Sequence, residues 1–236
     1  MNCKFVQHID KNFLQTLPLV SFEGEVIIVD TPEKVHDAVA YLSGFDILGV
    51  DTEARPSFKR GVHYPTALVQ VATMERCYLF RLTHVGMPQE LAEIFANPNI
   101  CKVGLAFKDD LNGLRRRRDF KPVNCVDLQA IVCKYGIMDL GLQKIFAIIF
   151  GKKISKAQQL TNWENSHLTP EQAKYASTDA WATLCIYLEL QKMKPLSKKE
   201  VDALKQAERE AQILRQQEAM ARRLSGEATS EKEGCV

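Results

Sequence analysis

Apolar residues recur along the chain in two periods, one typical of strands and the other of helices. Short runs rich in β-branched and apolar residues predict four strands, at 25–29, 47–53, 66–73 and 76–82. The last two runs are separated by residues 74–75 alone, which predicts a tight antiparallel hairpin. Several strands are therefore expected in succession in the first half of the chain.

Helical patterns lie between and after these strands. Thr31 is a suitable N-cap for a helix that starts at Pro32, carries apolar residues at a spacing of three to four, and ends at Gly44. Further helices are predicted at 88–98, 108–118, 140–151 and 168–194, with a strand at 100–107 and a short strand followed by a helix at 124–136. Strands in succession, followed by strands that alternate with helices, predict an α/β fold with a mixed central sheet flanked by helices.

The chain divides by composition into three segments. Residues 1–23 are a lead-in that we expect to be loosely attached, and 24–194 form the main domain. The segment 195–236 is rich in Lys, Glu, Gln, Arg and Ala, which predicts an exposed charged helix with Glu and Lys paired at i,i+4. We expect a disordered tail at 225–236, and we expect the helix to be available to a protein partner.

The composition is that of a globular protein rather than of a membrane protein or a disulfide-rich one. Of 236 residues, 46% are hydrophobic and 25% are charged, and because the net charge is only +2, any basic surface must be local. The seven cysteines form no C-x-x-C pair, so we expect free thiols in a reducing compartment. The N-terminus lacks a signal-peptide pattern, and the apolar run at 145–151 is shorter than the roughly 20 residues of a membrane span. We expect a cytoplasmic protein that does not associate with membranes.

Four carboxylates lie beside apolar segments. Asp51 and Glu53 end a predicted strand at positions i and i+2, so both side chains point to one face of the sheet. Asp110 opens the helix that follows a later strand. Asp179 lies within the longest predicted helix, one turn after Tyr175.

Each of these residues has an ordinary explanation when it is taken alone. Asp51 and Glu53 can belong to a solvated turn, an Asp at the start of a helix can be an N-cap, and Tyr175 can lie at the edge of the core. Asp179 is the least ordinary, because apolar residues surround it and an unpaired buried acid is costly. Together the acids suit Mg²⁺ or Mn²⁺: four carboxylates can hold two such ions against a phosphodiester, and a tyrosine hydroxyl can orient the attacking water.

Three segments, in this order, resemble the motifs of a known family. They are "GVDTE" at 49–53, "KVGLAFKDDLNGL" at 102–114 and "LTPEQAKYASTDAWA" at 168–182. They are similar to the three exonuclease motifs of the DEDD 3′–5′ exonucleases, in the branch that includes ribonuclease D and the exonuclease domain of the Werner syndrome helicase. The resemblance covers about residues 24–192.

The resemblance implies a ribonuclease-H-like fold and two-metal hydrolysis of DNA or RNA from 3′ ends, with release of nucleoside monophosphates. It implies that the two Mg²⁺ or Mn²⁺ ions are held by Asp51, Glu53, Asp110 and Asp179, and that these residues are catalytic together with Tyr175. It places the chain in the tyrosine subclass, because the position that carries His in the other subclass is Lys174 here.

Asp109 and Asp110 are adjacent, and two adjacent acids point in different directions on a helix. The resemblance favours Asp110 as the metal ligand. Asp109 is then expected to be the cap of the helix.

Polar and aromatic residues near the acids are candidates for substrate binding. They are Thr52, Arg55, His63 and Lys108. Arg55 and Lys108 adjoin the motifs and can contact phosphates, and His63 can either stack on a base or pack locally. The arginine run at 115–118 is either a solvated helix end that suits the helix dipole or a surface for nucleic acid.

Two functions from different classes therefore compete. The first is a metal-dependent 3′–5′ exonuclease, which the complete set of acids favours. The alternative is a nucleic-acid-binding or scaffolding protein on the same fold, with little turnover and with the C-terminal helix recruiting a partner. The sequence leaves the choice between DNA and RNA open.

Overall fold

One mixed sheet forms the centre of the protein, in a computed structural model that describes residues 5–59 and 61–230, of which 222–230 are described for the backbone only. The strands are β1 (Glu25–Val29), β2 (Ile47–Ala54), β3 (Thr66–Ala72), β4 (Arg76–Arg81), β5 (Cys101–Gly104) and β6 (Cys125–Asp127). Their order in the sheet is β1-β4-β3-β2-β5-β6.

β3 is the strand that makes the sheet mixed. It pairs antiparallel with β2 and β4, whereas β1 is parallel to β4, and β2, β5 and β6 are parallel to one another. The predicted hairpin of β3 and β4 is confirmed. Because β5 pairs only with Ile47, Leu48 and Gly49 of β2, the second half of β2 extends beyond the end of β5.

The predicted helices are present in the predicted order, and short helices at Lys11–Thr16 and Leu82–Val85 are additional to them. The helices are α1 (Lys11–Thr16), α2 (Pro32–Leu42), α3 (Leu82–Val85), α4 (Gln89–Ala96), α5 (Phe107–Arg117), α6 (Leu128–Ile131), a 3₁₀-helix (Val132–Tyr135), α7 (Leu142–Phe150), α8 (Pro170–Gln191) and α9 (Lys198–Ser230). The predicted N-caps are present, since Thr31 accepts a hydrogen bond from the N–H of Lys34 and Thr169 forms a reciprocal capping box with Gln172.

Helices cover both faces of the sheet, as predicted for the α/β fold. α2 and α4 pack on one face, where Val35 and Leu91 share an apolar cluster with Val69. α8 packs on the opposite face, where Ala180 shares a cluster with Leu68. The residues of a strand that point towards α8 therefore alternate with those that point towards α2 and α4.

The N-terminal lead-in is attached to the domain, so the expectation of a loose attachment is wrong for its described residues. Leu14 of α1 is buried in a cluster with Ala147 of α7. The N–H of Val20 donates to the carbonyl of Lys153 at 2.9 Å, and the N–H of Phe22 donates to the Thr178 hydroxyl at 3.0 Å. These contacts join residues far apart in the chain, 156 positions in the case of Phe22 and Thr178, so no local pattern in the sequence predicts them.

The C-terminal segment forms α9, as predicted. Val201 and Leu204 are buried, whereas Ile213 and Leu214 are more than half exposed. The helix runs to Ser230, so it covers the first half of the tail that was expected to be disordered, and 231–236 lie outside the described residues. Within the described part of the chain, no helix has an apolar stretch long enough to cross a bilayer.

Candidate active site

The end of β2 and the middle of α8 bring three carboxylates together. Asp51 and Glu53 are two residues apart on β2, so they share the face that α8 covers. Oxygen atoms of Asp51, Glu53 and Asp179 lie within 4.8 Å of one another. Gly49 allows this approach, because a Cβ at that position would lie 2.1 Å from the carbonyl oxygen of Ala180. The absence of a side chain thus lets α8 lie directly on β2.

Asp110 approaches the same place from α5. The Thr52 hydroxyl, on β2 between the two acids, donates a hydrogen bond of 2.5 Å to the Asp110 carboxylate. Asp110 is outside the trio that lies within 4.8 Å. Its charge nevertheless acts on the trio. Burial raises the pKa of Glu53, and the charges of Asp179 and Asp110 raise it further. Asp110 is therefore a fourth acid beside the trio. Thr52 holds it there, on the same strand, β2, that carries Asp51 and Glu53.

Asp109 does not cap α5, although the sequence predicts that role for it. It is exposed, and the expectation that it caps α5 is wrong, because the cap residue is Ala106 and no side chain of the helix start fills that role. Asp127 at the end of β6 accepts hydrogen bonds from the N–H groups of Ala106 and Phe107 at 3.1 and 3.0 Å. This contact also explains why the predicted strand at 100–107 ends early, at Gly104.

Burial and mutual repulsion give the acids high pKa values. Burial is the largest cause for Asp51, whose pKa is raised further by Asp179 and Glu53. The pKa of Glu53 is raised to about 9, and burial raises the pKa of Asp110 and of Asp179 to about 7. Carboxylates that are crowded and buried together resist ionisation, and a bound cation relieves both effects.

Tyr175 completes the group on α8. It is 8% exposed and lies one helical turn before Asp179. Burial raises the pKa of Asp179, and the hydrogen bond from Tyr175 opposes that rise. Burial and the charge of Asp179 raise the pKa of Tyr175 above its ordinary range, so the phenol keeps its proton and remains a hydrogen-bond donor.

A cavity of about 260 Å³ opens onto the three carboxylates and Tyr175. Its other polar lining residues include Gln143, Ser155, Lys156 and Gln159. Lys156 was not predicted from the sequence, and its charge lowers the pKa of Asp179 against the larger effect of burial. The only sign in the sequence was a basic residue in the loop before the third motif, and such residues are common in loops.

The predicted substrate-binding residues lie in different places. His63 lines a cavity of about 820 Å³ with Tyr64, Asn112 and Arg116. The guanidinium of Arg55 lies 4.8 Å from the centre of the Tyr64 ring, so Arg55 is on the side of this cavity. Thr52 is at the carboxylates.

Lys108 is not brought to the carboxylates. It is exposed and lines a separate cavity of about 250 Å³ on another side of α5. The arginine run is divided in the same way. Arg117 and Arg118 donate to the carbonyls of Leu82 and Met87 at 3.4 and 2.6 Å, and Arg116 lines the large cavity. Arg115 lies on another side of α5, where it lines the smaller cavity and is 3.8 Å from Asp119, and Arg117 lines the large cavity beside Arg116. The run is therefore neither wholly a solvated helix end nor wholly turned to one cavity.

The donor set of the site fits a hard divalent cation. The converging groups are carboxylate oxygens, with no sulfur or imidazole among them. Such oxygens are the ligands that small divalent cations prefer. Asp51, Glu53 and Asp179 form the group that could hold such a cation, and Asp110 lies beside them.

A model of the 3′–5′ exonuclease domain matches residues 26–194, which is most of the chain. The chain belongs to the 3′–5′ exonuclease family. The bifunctional 3′–5′ exonuclease/ATP-dependent helicase WRN of Mus musculus is 31% identical over 196 residues, which are 77% of this chain and 14% of that protein. The resemblance to the branch of ribonuclease D and the Werner helicase is confirmed.

Two solved structures share the fold of this exonuclease domain. The Nibbler EXO domain of Aedes aegypti has a TM-score of 0.66 and 20% identity, covering 78% of this chain and 99% of that one. The RNase D of Trypanosoma brucei in complex with RNA U12 has a TM-score of 0.64 and 19% identity, covering 73% of this chain and 64% of that one. At such identities the likeness is one of fold, and it confirms the expected ribonuclease-H-like architecture.

Proposed function

We propose that this protein removes nucleotides from the 3′ ends of DNA or RNA and releases nucleoside monophosphates. One observation carries the proposal: in a member of the 3′–5′ exonuclease family, Asp51, Glu53 and Asp179 converge within 4.8 Å in an open cavity. Residues far apart in the chain seldom assemble buried acids without a cation or substrate to hold.

The proposed cofactors are two divalent ions, Mg²⁺ or Mn²⁺. The residues that would hold them are Asp51, Glu53, Asp110 and Asp179. When bound, the ions activate water and neutralise the charge of the phosphodiester. The Thr52 hydroxyl keeps Asp110 turned towards β2, which supports its role as the fourth ligand.

Tyr175 and Lys156 supply the remaining polar groups of the cavity. Because the Tyr175 phenol keeps its proton, it can donate to the oxygen of the attacking water while Asp179 holds the tyrosine in place. Lys156 lines the same cavity and is placed to meet a phosphate oxygen of the nucleotide that is removed.

We propose that the rest of the strand lies along the larger cavity. His63, Tyr64 and Arg116 line it, and they provide aromatic surface and positive charge, which are the two requirements of single-strand binding. Arg55 is shared between the Tyr64 ring and Glu164, whose carboxylate is 3.6 Å away, so it must leave Glu164 to contact a phosphate. A role for Lys108 requires the strand to reach the other side of α5.

The proposed domain organisation keeps 24–194 as the exonuclease domain, which the family match to 26–194 supports. The exposed Ile213 and Leu214 on α9 support a protein partner there. The five cysteines of the described chain are free thiols, which supports a reducing, cytoplasmic location.

The test is an assay on 5′-labelled oligonucleotides of DNA and of RNA, single-stranded and with recessed 3′ ends. We expect a ladder of products shortened from the 3′ end in Mg²⁺ or Mn²⁺ and none in EDTA. Asp51→Ala and Asp179→Asn should keep the fold and lose the ladder. Retention of full activity by both variants would refute the assignment.

The same assay addresses the rival function. A scaffolding protein on this fold would bind a 3′-tailed oligonucleotide in Mn²⁺ without shortening it. RNA is a substrate candidate because the Trypanosoma brucei neighbour is an RNase D in complex with RNA, and the matched DNA and RNA arms compare the two directly.

A further inference from the structure

Gln70 is a buried polar residue that the proposed mechanism does not use. It lies in the middle of β3 and is 0% exposed. Among the residues that the structure describes, neither its Oε1 nor its Nε2 has a hydrogen-bond partner. A buried amide without partners is unfavourable, so an apolar residue would suit this position better unless the amide has a task.

The register of the sheet places Gln70 next to Asp51. The two residues are direct partners across the antiparallel pair of β2 and β3, so their side chains are neighbours on one face. Leu68 and Ala72, two residues before and after Gln70, share an apolar cluster with Ala180. Gln70 therefore lies on the α8 face, as Asp51 does.

The charge of the Asp51 carboxylate acts on a residue of β4, which lies on the other side of β3. Burial raises the pKa of Cys77, and the charge of Asp51 raises it further, although Cys77 belongs to β4 on the far side of β3. The Gln70 side chain lies on the strand between them.

We propose that Gln70 is a positioning residue whose amide Nε2 donates a hydrogen bond to the Asp51 carboxylate and so holds that carboxylate in the orientation that binds a divalent cation. The proposal rests on the proposed function. A glutamine side chain is long enough to reach a directly paired neighbour after a rotation of its own torsions. Because Gln70 is wholly buried beneath α8, it cannot contact the nucleic acid itself.

The test uses Gln70→Met, which keeps the length of the side chain and removes the amide. We expect the variant to unfold in EDTA at the same temperature as the wild type or higher, because it loses an unpaired polar group. Its affinity for Mn²⁺ alone, measured by calorimetry, should fall about tenfold or more, as is typical when the partner of a ligand is removed. The kcat should fall as well, with an unchanged KM for the oligonucleotide.

Two further variants serve as controls. Leu79→Met places the same side chain on β4, at the residue that pairs with Gln70 from the other side, and should leave Mn²⁺ affinity unchanged. Gln172→Met removes a buried amide that does have partners, at Thr161 and Thr169, and should lower the unfolding temperature.

Wild-type Mn²⁺ affinity in Gln70→Met would overturn the proposal. A lower unfolding temperature in EDTA, or loss of folded protein, would overturn it too, because the amide would then be holding the fold. A wild-type protein that binds Mn²⁺ but does not shorten oligonucleotides would refute the proposed exonuclease function, while the Mn²⁺ comparison would still decide the role of Gln70.

Discussion

At the scale of single residues, the candidate site combines groups that destabilise one another. Asp51, Glu53 and Asp179 approach within 4.8 Å although each is an acid. Burial and the neighbouring acids raise the pKa of Asp51 and of Glu53, and burial raises that of Asp179. A protein that keeps such an arrangement gives up stability for function, and removing one acid should restore some of it.

The first prediction concerns the stability of the protein in EDTA as the pH changes. A raised pKa means that the folded state holds the proton more tightly than the unfolded state, so stability falls as pH rises from the ordinary carboxyl pKa near 4 through the folded pKa. With Asp179 at about 7 and Glu53 at about 9, we expect the unfolding temperature to rise as pH is lowered from 9 to 5.

Asp179→Asn provides the control for this prediction. It should unfold at a higher temperature than the wild type at pH 8 in EDTA, and its unfolding temperature should depend less on pH. A wild-type unfolding temperature that falls as the pH is lowered from 9 to 5 would contradict the described crowding of the acids.

The second prediction concerns the Tyr175 hydroxyl. Tyr175→Phe should lower kcat on the order of 100-fold, the usual scale for a group that positions or transfers a proton, with little change in KM. Tyr41→Phe, on the opposite face of the sheet, is the matched control and should keep the wild-type kcat. Equal kcat values for wild type and Tyr175→Phe in single-turnover measurements would remove the hydroxyl from the mechanism.

At the scale of elements, the site depends on how closely α8 lies on β2. Gly49→Ala would place a Cβ 2.1 Å from the Ala180 carbonyl oxygen, so α8 must move away from the strand. We expect a loss of about 1–3 kcal/mol in the free energy of unfolding, which is typical of overpacking, and weaker Mn²⁺ binding because Asp179 moves with the helix.

Gly44→Ala is the matched control for Gly49→Ala. At Gly44 the nearest atom to a new Cβ is the carbonyl oxygen of Tyr41 at 3.4 Å, an ordinary contact. Its stability should be close to that of the wild type, as chemical denaturation would show. A Gly49→Ala variant that is as stable as Gly44→Ala would mean that the contact between α8 and β2 is less tight than described.

The same elements show how far the sequence predicts this fold. The strand with Asp51 and Glu53 and the capped helix with Asp179 were predictable, because their signals are local: alternation, caps and apolar spacing. The cap of α5 was not, since Asp127 follows Ala106 by 21 residues and meets it only across the sheet. Lys156 was missed for a similar reason, as no periodic pattern marks a loop.

At the scale of the whole molecule, long-range packing decides what local signals leave open. The N-terminal segment looked detached in sequence, yet Leu14 and Phe22 are buried against the domain. The Nε2–H of His8 also donates to the Glu208 carboxylate at 2.8 Å, which links this segment to α9. The net charge of +2 agrees with a local rather than a general attraction for nucleic acid, and His63 and Arg116 at the large cavity are the local candidates.

The most direct test of metal-dependent hydrolysis at the carboxylates is mass spectrometry of the products formed in ¹⁸O-labelled water. A single-stranded oligonucleotide would be incubated with the protein and Mn²⁺, because hydrolysis joins the oxygen of water to phosphorus and breaks the bond to the 3′ oxygen. We expect nucleoside 5′-monophosphates carrying the label from the wild type, and none from Asp51→Asn or in EDTA. Absence of labelled monophosphates with the wild type, or equal amounts from Asp51→Asn, would contradict the proposed function.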